Sequence, residues 1–329
     1  MKNSFNHQNF IFFISLIISV FLGLSSNSFL ILWMAMEINL FSFIPLMSVD
    51  LENNSEKSMV LYFLIQSVSS MIIFSSMIWL TLSKINMINQ LVISTIFLGI
   101  FMKMGVFPFQ FWVISLIESI SWMNCFILLT IQKIIPITMM FCMLQKKIIL
   151  IICFFNSMVA SISGLTIFSL RKIFSFSSMN HLTLMILCMT FSKKIFKMYF
   201  IIYSFMNAMG MKIMNLNKML FLQEMMMMTK KNSLDFISII VVFFSMAGIP
   251  PFLGFLPKAM ILMKMVENSL LFLSLSILIL NTITSFFYLR LSYMSLILSL
   301  NMKKEVKHKP KNSFPWFLLL TLFPLGLIL

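Results

Sequence analysis

Charge is what this chain has least of. Asp, Glu, Lys and Arg make up 10% of its 329 residues, against 60% hydrophobic residues. A soluble domain must cover its outside with polar side chains, so this balance excludes one, and lipid is the solvent for most of the chain. Cysteine is sparse: Cys125, Cys142, Cys153 and Cys188 form no CxxC pair, and the three histidines, His7, His181 and His308, stand far apart. Zinc, iron–sulfur and haem sites need ligand sets that this distribution does not supply. The chain has no GxGxxG or Walker loop either, so no redox cofactor, nucleotide or metal is expected in it. Alternating strands of about ten residues are missing, which argues against an outer-membrane barrel.

What fills the chain instead is a series of apolar runs of about 17–25 residues, each long enough to span the hydrocarbon core as a helix. They cover about eleven segments: 8–24, 27–47, 59–83, 91–112, 121–143, 148–169, 173–191, 198–217, 236–256, 269–292 and 313–329. No soluble domain longer than about twenty residues fits between these membrane segments. MKNSFNHQNF leads into the first run without a small-residue cleavage site, so no cleaved targeting segment is expected. The 34 methionines and 38 phenylalanines are spread evenly. That spread fits AT-biased codon usage in an organelle better than a Met-rich binding surface.

The net charge of +15 raises the question of nucleic acid. The basic residues, however, fall in short clusters between apolar runs: Lys146–Lys147, Arg171–Lys172, Lys193–Lys194, Lys230–Lys231 and the stretch 303–311. Such clusters anchor membrane topology, and no nucleic-acid partner is expected. Counting Lys and Arg by side places the N-terminus on the inner, positive side.

Two segments are interrupted in the same way. KMGVFPF at 103–109 lies in the fourth, with Gly105 and Pro108; AGIPPF at 247–252 lies in the ninth, with Gly248, Pro250 and Pro251. A proline removes a backbone donor and displaces a carbonyl, which is tolerable at depth only against protein or water. The offset of five spans is odd, so the two broken helices cross in opposite directions. The expected architecture is therefore an all-α polytopic membrane protein with two inverted five-helix repeats, 8–143 and 148–292, each with a broken helix, plus one C-terminal helix at 313–329. Matching interruptions in two halves point to an ion or substrate path; two unrelated proline kinks are the alternative.

Ionisable residues inside a membrane cost about 2.5–3.5 kcal/mol each on insertion scales, so each needs a reason. Glu37 lies midway through the second span, Lys103 just before the first break, Lys133 midway through the fifth span and Lys258 just after the second break. Glu37 is the one carboxylate well inside a span, and Lys103 is its candidate partner. A paired carboxylate and ammonium both stay ionised, and separating them disfavours both charges, as a proton pump requires. The alternative is a static ion pair that only fixes packing. For Lys258, snorkelling to a membrane face is a rival reading, and for Lys212 the preferred one. His181, read as starting the seventh span, is either a hydrogen-bonded structural residue or a further relay member. Glu118 is read as interfacial.

At these residues the chain resembles a known family. WMAMEINLFSFIPLM, KMGVFPFQFW, IQKIIPI, LRKIFSFSSMNH and AGIPPFLGFLPK, in that order, are similar to the subunit 2 family of mitochondrial NADH:ubiquinone oxidoreductase, among the antiporter-like membrane subunits of respiratory complex I. The resemblance runs from about residue 10 to the end. It implies an antiporter-like fold in the mitochondrial inner membrane, with the N-terminus on the matrix side. The implied partners are other membrane-arm subunits, lipids, protons and internal water. It implies proton translocation driven by ubiquinone reduction elsewhere, with NAD, FMN and iron–sulfur clusters in partner subunits. Carried over by motif, Glu37, Lys103, Lys133 and Lys258 form a hydrated relay near mid-membrane. The chain departs from the family at Gln110, where histidine is common, at Ile114 and Ser115, where Pro-Glu is common, and at Ile131, where tryptophan is common. A stand-alone cation/proton antiporter of the same fold and a structural spacer subunit are the other functions weighed.

Overall fold

A lipid-embedded backbone must satisfy its polar groups internally, and this chain does so almost wholly with helices. The computed structural model describes residues 7–48, 55–82, 86–143, 145–222, 224 and 233–301. Among these, six helices are long and apolar enough to cross a membrane: Phe29–Ser48, Glu56–Leu82, Trp122–Cys142, Lys146–Gly164, Leu170–Phe191 and Leu271–Tyr293. Asn9–Ser25, Asn89–Met104 and Ile237–Ala247 are apolar but shorter. The segment expected at 313–329, the basic stretch 303–311 and Lys230–Lys231 lie outside the described residues.

The chain divides into two compact units, Met1–Gln145 and Lys146–Leu329. The first contains α1 (His7–Ser25), α2 (Phe29–Ser48), α3 (Ser55–Leu82), α4 (Asn86–Met104), α5 (Phe111–Ser119), α6 (Trp122–Leu129), a 3₁₀ turn (Ile131–Lys133) and α7 (Ile134–Cys142). Here α1 packs on α2, α2 on α3, and α3 on both α4 and α5. The second contains α8 (Lys146–Gly164), α9 (Leu170–Phe191), α10 (Lys193–Leu216), α11 (Ser233–Ala247), α12 (Phe255–Glu267) and α13 (Leu271–Asn301). Within it α9 touches α8, α10, α12 and α13, and 94% of its membrane-length stretch is buried.

Lipid tails are as apolar as leucine, so packing and interhelical hydrogen bonds, not water exclusion, hold such helices together, at about 0.6–2 kcal/mol per bond. Buried amides supply several. In the first unit Asn124 Nδ2 donates to Leu46 O at 3.0 Å, tying α6 to α2. In the second, Asn156 Nδ2 donates to Met179 O at 3.1 Å, and Asn180 Nδ2 donates to Asn281 Oδ1 at 2.8 Å. The many serines and threonines satisfy themselves by donating to the preceding turn, as Ser19, Ser69, Ser76 and Thr183 do.

The fourth and ninth apolar segments do not end where their patterns predict. Each is split into two helices by a turn, α4 from α5 at 105–110 and α11 from α12 at 248–254. Both turns begin alike. Gly105 has φ +67° and Gly248 φ +78°. Gly105 N–H donates to Met102 O and Val106 N–H to Phe101 O; Gly248 N–H donates to Ser245 O and Ile249 N–H to Phe244 O. This is the Schellman ending, with a left-handed glycine just past the helix. Four residues after each glycine a second turn closes, Phe109 N–H donating to Val106 O at 2.8 Å and Phe252 N–H to Ile249 O at 2.9 Å. Pro108 and Pro251 occupy the same place in that turn.

The fifth segment, expected as one helix over 121–143, is interrupted at Thr130–Lys133. Pro136 accounts for this. Its ring lacks a donor and crowds the carbonyl four residues earlier, that of Gln132.

Gly105→Ala is expected to cost about 1–3 kcal/mol, the range for a side chain forced into a left-handed conformation. Its Cβ would also lie 2.2 Å from Val113 Cγ2. A lower thermal midpoint for Gly105→Ala, partly recovered in the double variant with Val113→Ala, is the expected result; an unchanged midpoint would show that the turn is not rigidly held.

Candidate functional site

A Schellman ending leaves the last two carbonyls of a helix without backbone partners. Inside a membrane, side chains must take them. At the end of α4, Gln66 Nε2 from α3 donates to Lys103 O at 3.2 Å. Trp112 Nε1 from α5 adds a second donor, at 3.1 Å, to Met102 O, which already accepts from Gly105 N–H. These neutral donors cover the helix end, and the Lys103 ammonium is turned elsewhere. It meets Glu37 Oε1 of α2 at 3.3 Å. The lysine side chain is 3% exposed and the glutamate 20%, so the pair is close to fully desolvated on one side only.

Lys103 also lines a cavity of about 20 Å³, together with Met36, Asn39, Tyr62, Gln66, Met104, Trp112, Val113, Leu128, Gln132, Lys133 and Pro136. The interruption of the fifth segment delivers Lys133 to this cavity. The 3₁₀ turn ends on Lys133, which is buried. Tyr62, one helical turn from Gln66 on α3, donates its hydroxyl to Gln132 Oε1 at 3.4 Å. Its ring lies 5.2 Å from that of Phe43 and 6.2 Å from that of Trp112. Asn39 Oδ1 and Gln132 Nε2 are buried without a protein hydrogen-bond partner.

In the second unit one side chain covers both freed carbonyls. Lys258 of α12 reaches back and donates to Met246 O and Ala247 O, both at 2.9 Å. The cap here is the ammonium itself, drawn to the negative end of α11. Gly248 makes room for it: a Cβ there would lie 2.8 Å from Lys258 Cδ and 3.0 Å from Nζ. Lys258 is buried, so it does not snorkel to a membrane face.

His181 corrects an expectation. Helix α9 starts at Leu170, because Arg171 and Lys172 belong to its first turn and not to a loop. His181 therefore lies near the middle of the helix, buried, with Nδ1 2.7 Å from Tyr199 Oη of α10. Its ring also packs on Tyr203, centroids 5.2 Å apart. Glu118 and Lys212 are exposed.

The structure thus gathers Glu37, Lys103 and Lys133 in the first unit, and places Lys258 and His181 in the second. Gln66, Trp112, Tyr62 and Tyr199 were not singled out from the sequence. Their signal is weak, a polar atom on a large side chain within an apolar run. The spacing of Tyr62 and Gln66, four residues apart on one face, is the clearest part of it. Among the described residues no group of three or more His, Cys, Asp or Glu could hold a metal ion.

Removing one member of a buried ion pair strands the other, at about 3–5 kcal/mol. Glu37→Gln and Lys103→Met are therefore each expected to destabilise the protein more than half as much as the double variant. A coupling energy of about 0.5–3 kcal/mol should appear in a cycle of thermal unfolding measurements; strict additivity would show that the pair is not formed.

Residues 26–284 match the family model described as NADH:quinone oxidoreductase/Mrp antiporter, TM. The chain is 36% identical over 316 residues to the NADH-ubiquinone oxidoreductase chain 2 of Anopheles gambiae, covering 93% of this chain and 90% of that one. Its fold is similar to that of a chain in respiratory complex I from Thermus thermophilus, with TM-score 0.85 at 15% identity, over 99% of this chain and 79% of that one. A chain of the Mrp complex from a Dietzia species is similar with TM-score 0.75 at 12% identity, over 93% of this chain and 63% of that one.

Proposed function

The chain belongs to the NADH:quinone oxidoreductase/Mrp antiporter family, as an antiporter-like membrane-arm subunit of respiratory complex I, and from that premise we propose that it translocates protons through a Glu37–Lys103–Lys133–Lys258 relay. The relay is driven by ubiquinone reduction in other subunits. NAD, FMN and iron–sulfur chemistry belong to those partners. The chain is a multi-pass protein of the mitochondrial inner membrane, with its N-terminus on the matrix side. Its two halves, 8–143 and 148–292, act as inverted five-helix repeats, followed by the segment at 313–329. The three hydrogen bonds shared by the turns at Gly105–Phe109 and Gly248–Phe252 support that repeat.

One observation carries the relay reading: the Lys103 ammonium contacts Glu37, and Lys103 lines the same small cavity as Lys133. Two ammonium groups facing one cavity of low dielectric repel each other strongly. A proton arriving at Lys133 drives Lys103 against Glu37; its departure frees Lys103 to leave the carboxylate. The pair is thus a charge switch that Lys133 sets. Lys258, seated on the end of α11, spends two of its three N–H donors on carbonyls and keeps one for exchange. Protons pass between such groups through internal water. His181, hydrogen-bonded to Tyr199, is a further member of the relay.

The test is Lys133→Met in the assembled complex, reconstituted in liposomes. Loss of a positioned proton carrier costs about 10²–10⁴-fold in transfer rate. The number of protons moved per electron should therefore fall with assembly intact. An unchanged ratio counts against the relay, and a defect confined to assembly supports a spacer. Cation exchange by the purified chain alone would support an independent antiporter.

A further inference from the structure

Helix α10 presents two tyrosines, one turn apart on one face, to the buried imidazole of α9. The Tyr199 hydroxyl lies 2.7 Å from His181 Nδ1, and the Tyr203 ring lies against the imidazole with centroids 5.2 Å apart. Tyr199 is 0% exposed and His181 4%. The distance alone leaves open which partner donates, because either imidazole nitrogen can carry the ring hydrogen. The surroundings decide it. Among the described residues, His181 is the sole hydrogen-bond partner of the Tyr199 hydroxyl. If Nδ1 carried a hydrogen, it would donate to the phenol oxygen, and the phenol's own hydrogen would be buried without a protein acceptor. That arrangement strands a donor in a dry interior. With the ring hydrogen on Nε2, Nδ1 accepts from Tyr199 and the phenol hydrogen is satisfied.

We propose that Tyr199 fixes the ring hydrogen of His181 on Nε2, so that His181 serves the relay as a hydrogen-bond donor and not as a proton carrier. The inference rests on the relay reading above and assigns His181 its part in it. A carrier needs an open lone pair on which to take an incoming proton. The neutral imidazole has one acceptor nitrogen, here Nδ1, and the Tyr199 hydrogen occupies it. Nε2 already holds its hydrogen. To take up a proton the ring would first have to displace the Tyr199 hydrogen, which has no second acceptor to turn to. As a donor the same ring is ready. Tyr199 holds it at one nitrogen and Tyr203 across its face, so the Nε2–H keeps one direction. Helix α12, which carries Lys258, also packs on α9, so the ring and the relay share one bundle. The Nε2–H steadies an oxygen or amine lone pair of that relay, and no N–H bond forms or breaks at His181. Tyr199 is the positioning residue for this donor.

Glutamine and asparagine separate the two nitrogens. A glutamine amide at this position sets an N–H near the place of Nε2. An asparagine amide sets an acceptor for Tyr199 near the place of Nδ1 and leaves the place of Nε2 empty. His181→Gln and His181→Asn are compared for proton pumping in the assembled complex reconstituted in liposomes. Pumping by His181→Asn is expected to be slower than that by His181→Gln by about tenfold or more, the worth of a hydrogen bond to a charged group. The double variant His181→Gln with Tyr199→Phe removes the hydroxyl that glutamine leaves without an acceptor, and it serves if His181→Gln alone does not assemble. Equal loss in the glutamine and asparagine variants overturns the inference in favour of a carrier. Pumping kept in both, or better kept in His181→Asn, overturns it in favour of a ring that serves packing alone.

Infrared ring vibrations distinguish the two imidazole tautomers, and subtracting the spectrum of His181→Gln from that of the unmodified complex isolates this ring. The Nε2–H form is expected, with a mixture of both forms in Tyr199→Phe. An Nδ1–H or doubly protonated ring in the unmodified complex overturns the inference. If no variant at His181 assembles, the difference between the unmodified complex and Tyr199→Phe decides, and unchanged imidazole bands reject it. Normal pumping by Lys133→Met removes the relay and with it the donor's role, whereas the tautomer stands or falls by the spectra alone.

Discussion

A carbonyl freed inside a bilayer must find a donor in the protein, and the structure of both units turns on how that obligation is met. The breaks at Gly105 and Gly248 release carbonyls at the same positions relative to their glycines. Backbone amides recover some of them. Others summon polar side chains into the interior: Gln66 to one carbonyl in the first unit, Lys258 to two in the second. Irregular backbone thus brings charged and amide groups into the interior, where apolar filler alone would have sufficed for a plain helix.

The two solutions divide the work between lysines that look alike in sequence. Where neutral donors cover the helix end, Lys103 is free to meet a carboxylate. Where no such donor is supplied, the lysine covers the end itself, and its position is held by two carbonyls. An ammonium paired with a glutamate side chain can exchange partners. One fixed on backbone carbonyls keeps its place and changes only its remaining N–H. Local geometry is repeated in the two units while the charge assignment is not.

The breaks were legible in the sequence because glycine and proline act on the backbone locally, whatever surrounds them. Glu37 and Lys103 were legible because an isolated charge in an apolar run demands a partner. The interruption at Thr130–Lys133 was harder to see. Pro136 acts on a carbonyl four residues earlier, and the unbroken apolar pattern of the segment masks that effect. His181 was misplaced because Arg171 and Lys172 read as loop charges, yet they occupy the first turn of α9. Tyr62 and Gln66 stayed invisible for another reason. Their partners, Gln132 and the Lys103 carbonyl, come from distant parts of the chain, and only the packing of α3 brings them together.

Helix α9 is enclosed by its own unit on almost every side, and of the six membrane-length helices it is the least apolar. Its Ser177, Ser178, Asn180, His181 and Thr183 are all buried. A segment of this kind gains little by entering lipid alone. It is admitted to the bilayer by its neighbours: α8 offers Asn156 to the Met179 carbonyl, and α10 offers Tyr199 to His181. These polar groups of α9 are thus satisfied only where α8 and α10 are packed against it. Only Ser192 separates α9 from α10, so the helix that carries Tyr199 follows α9 directly in the chain.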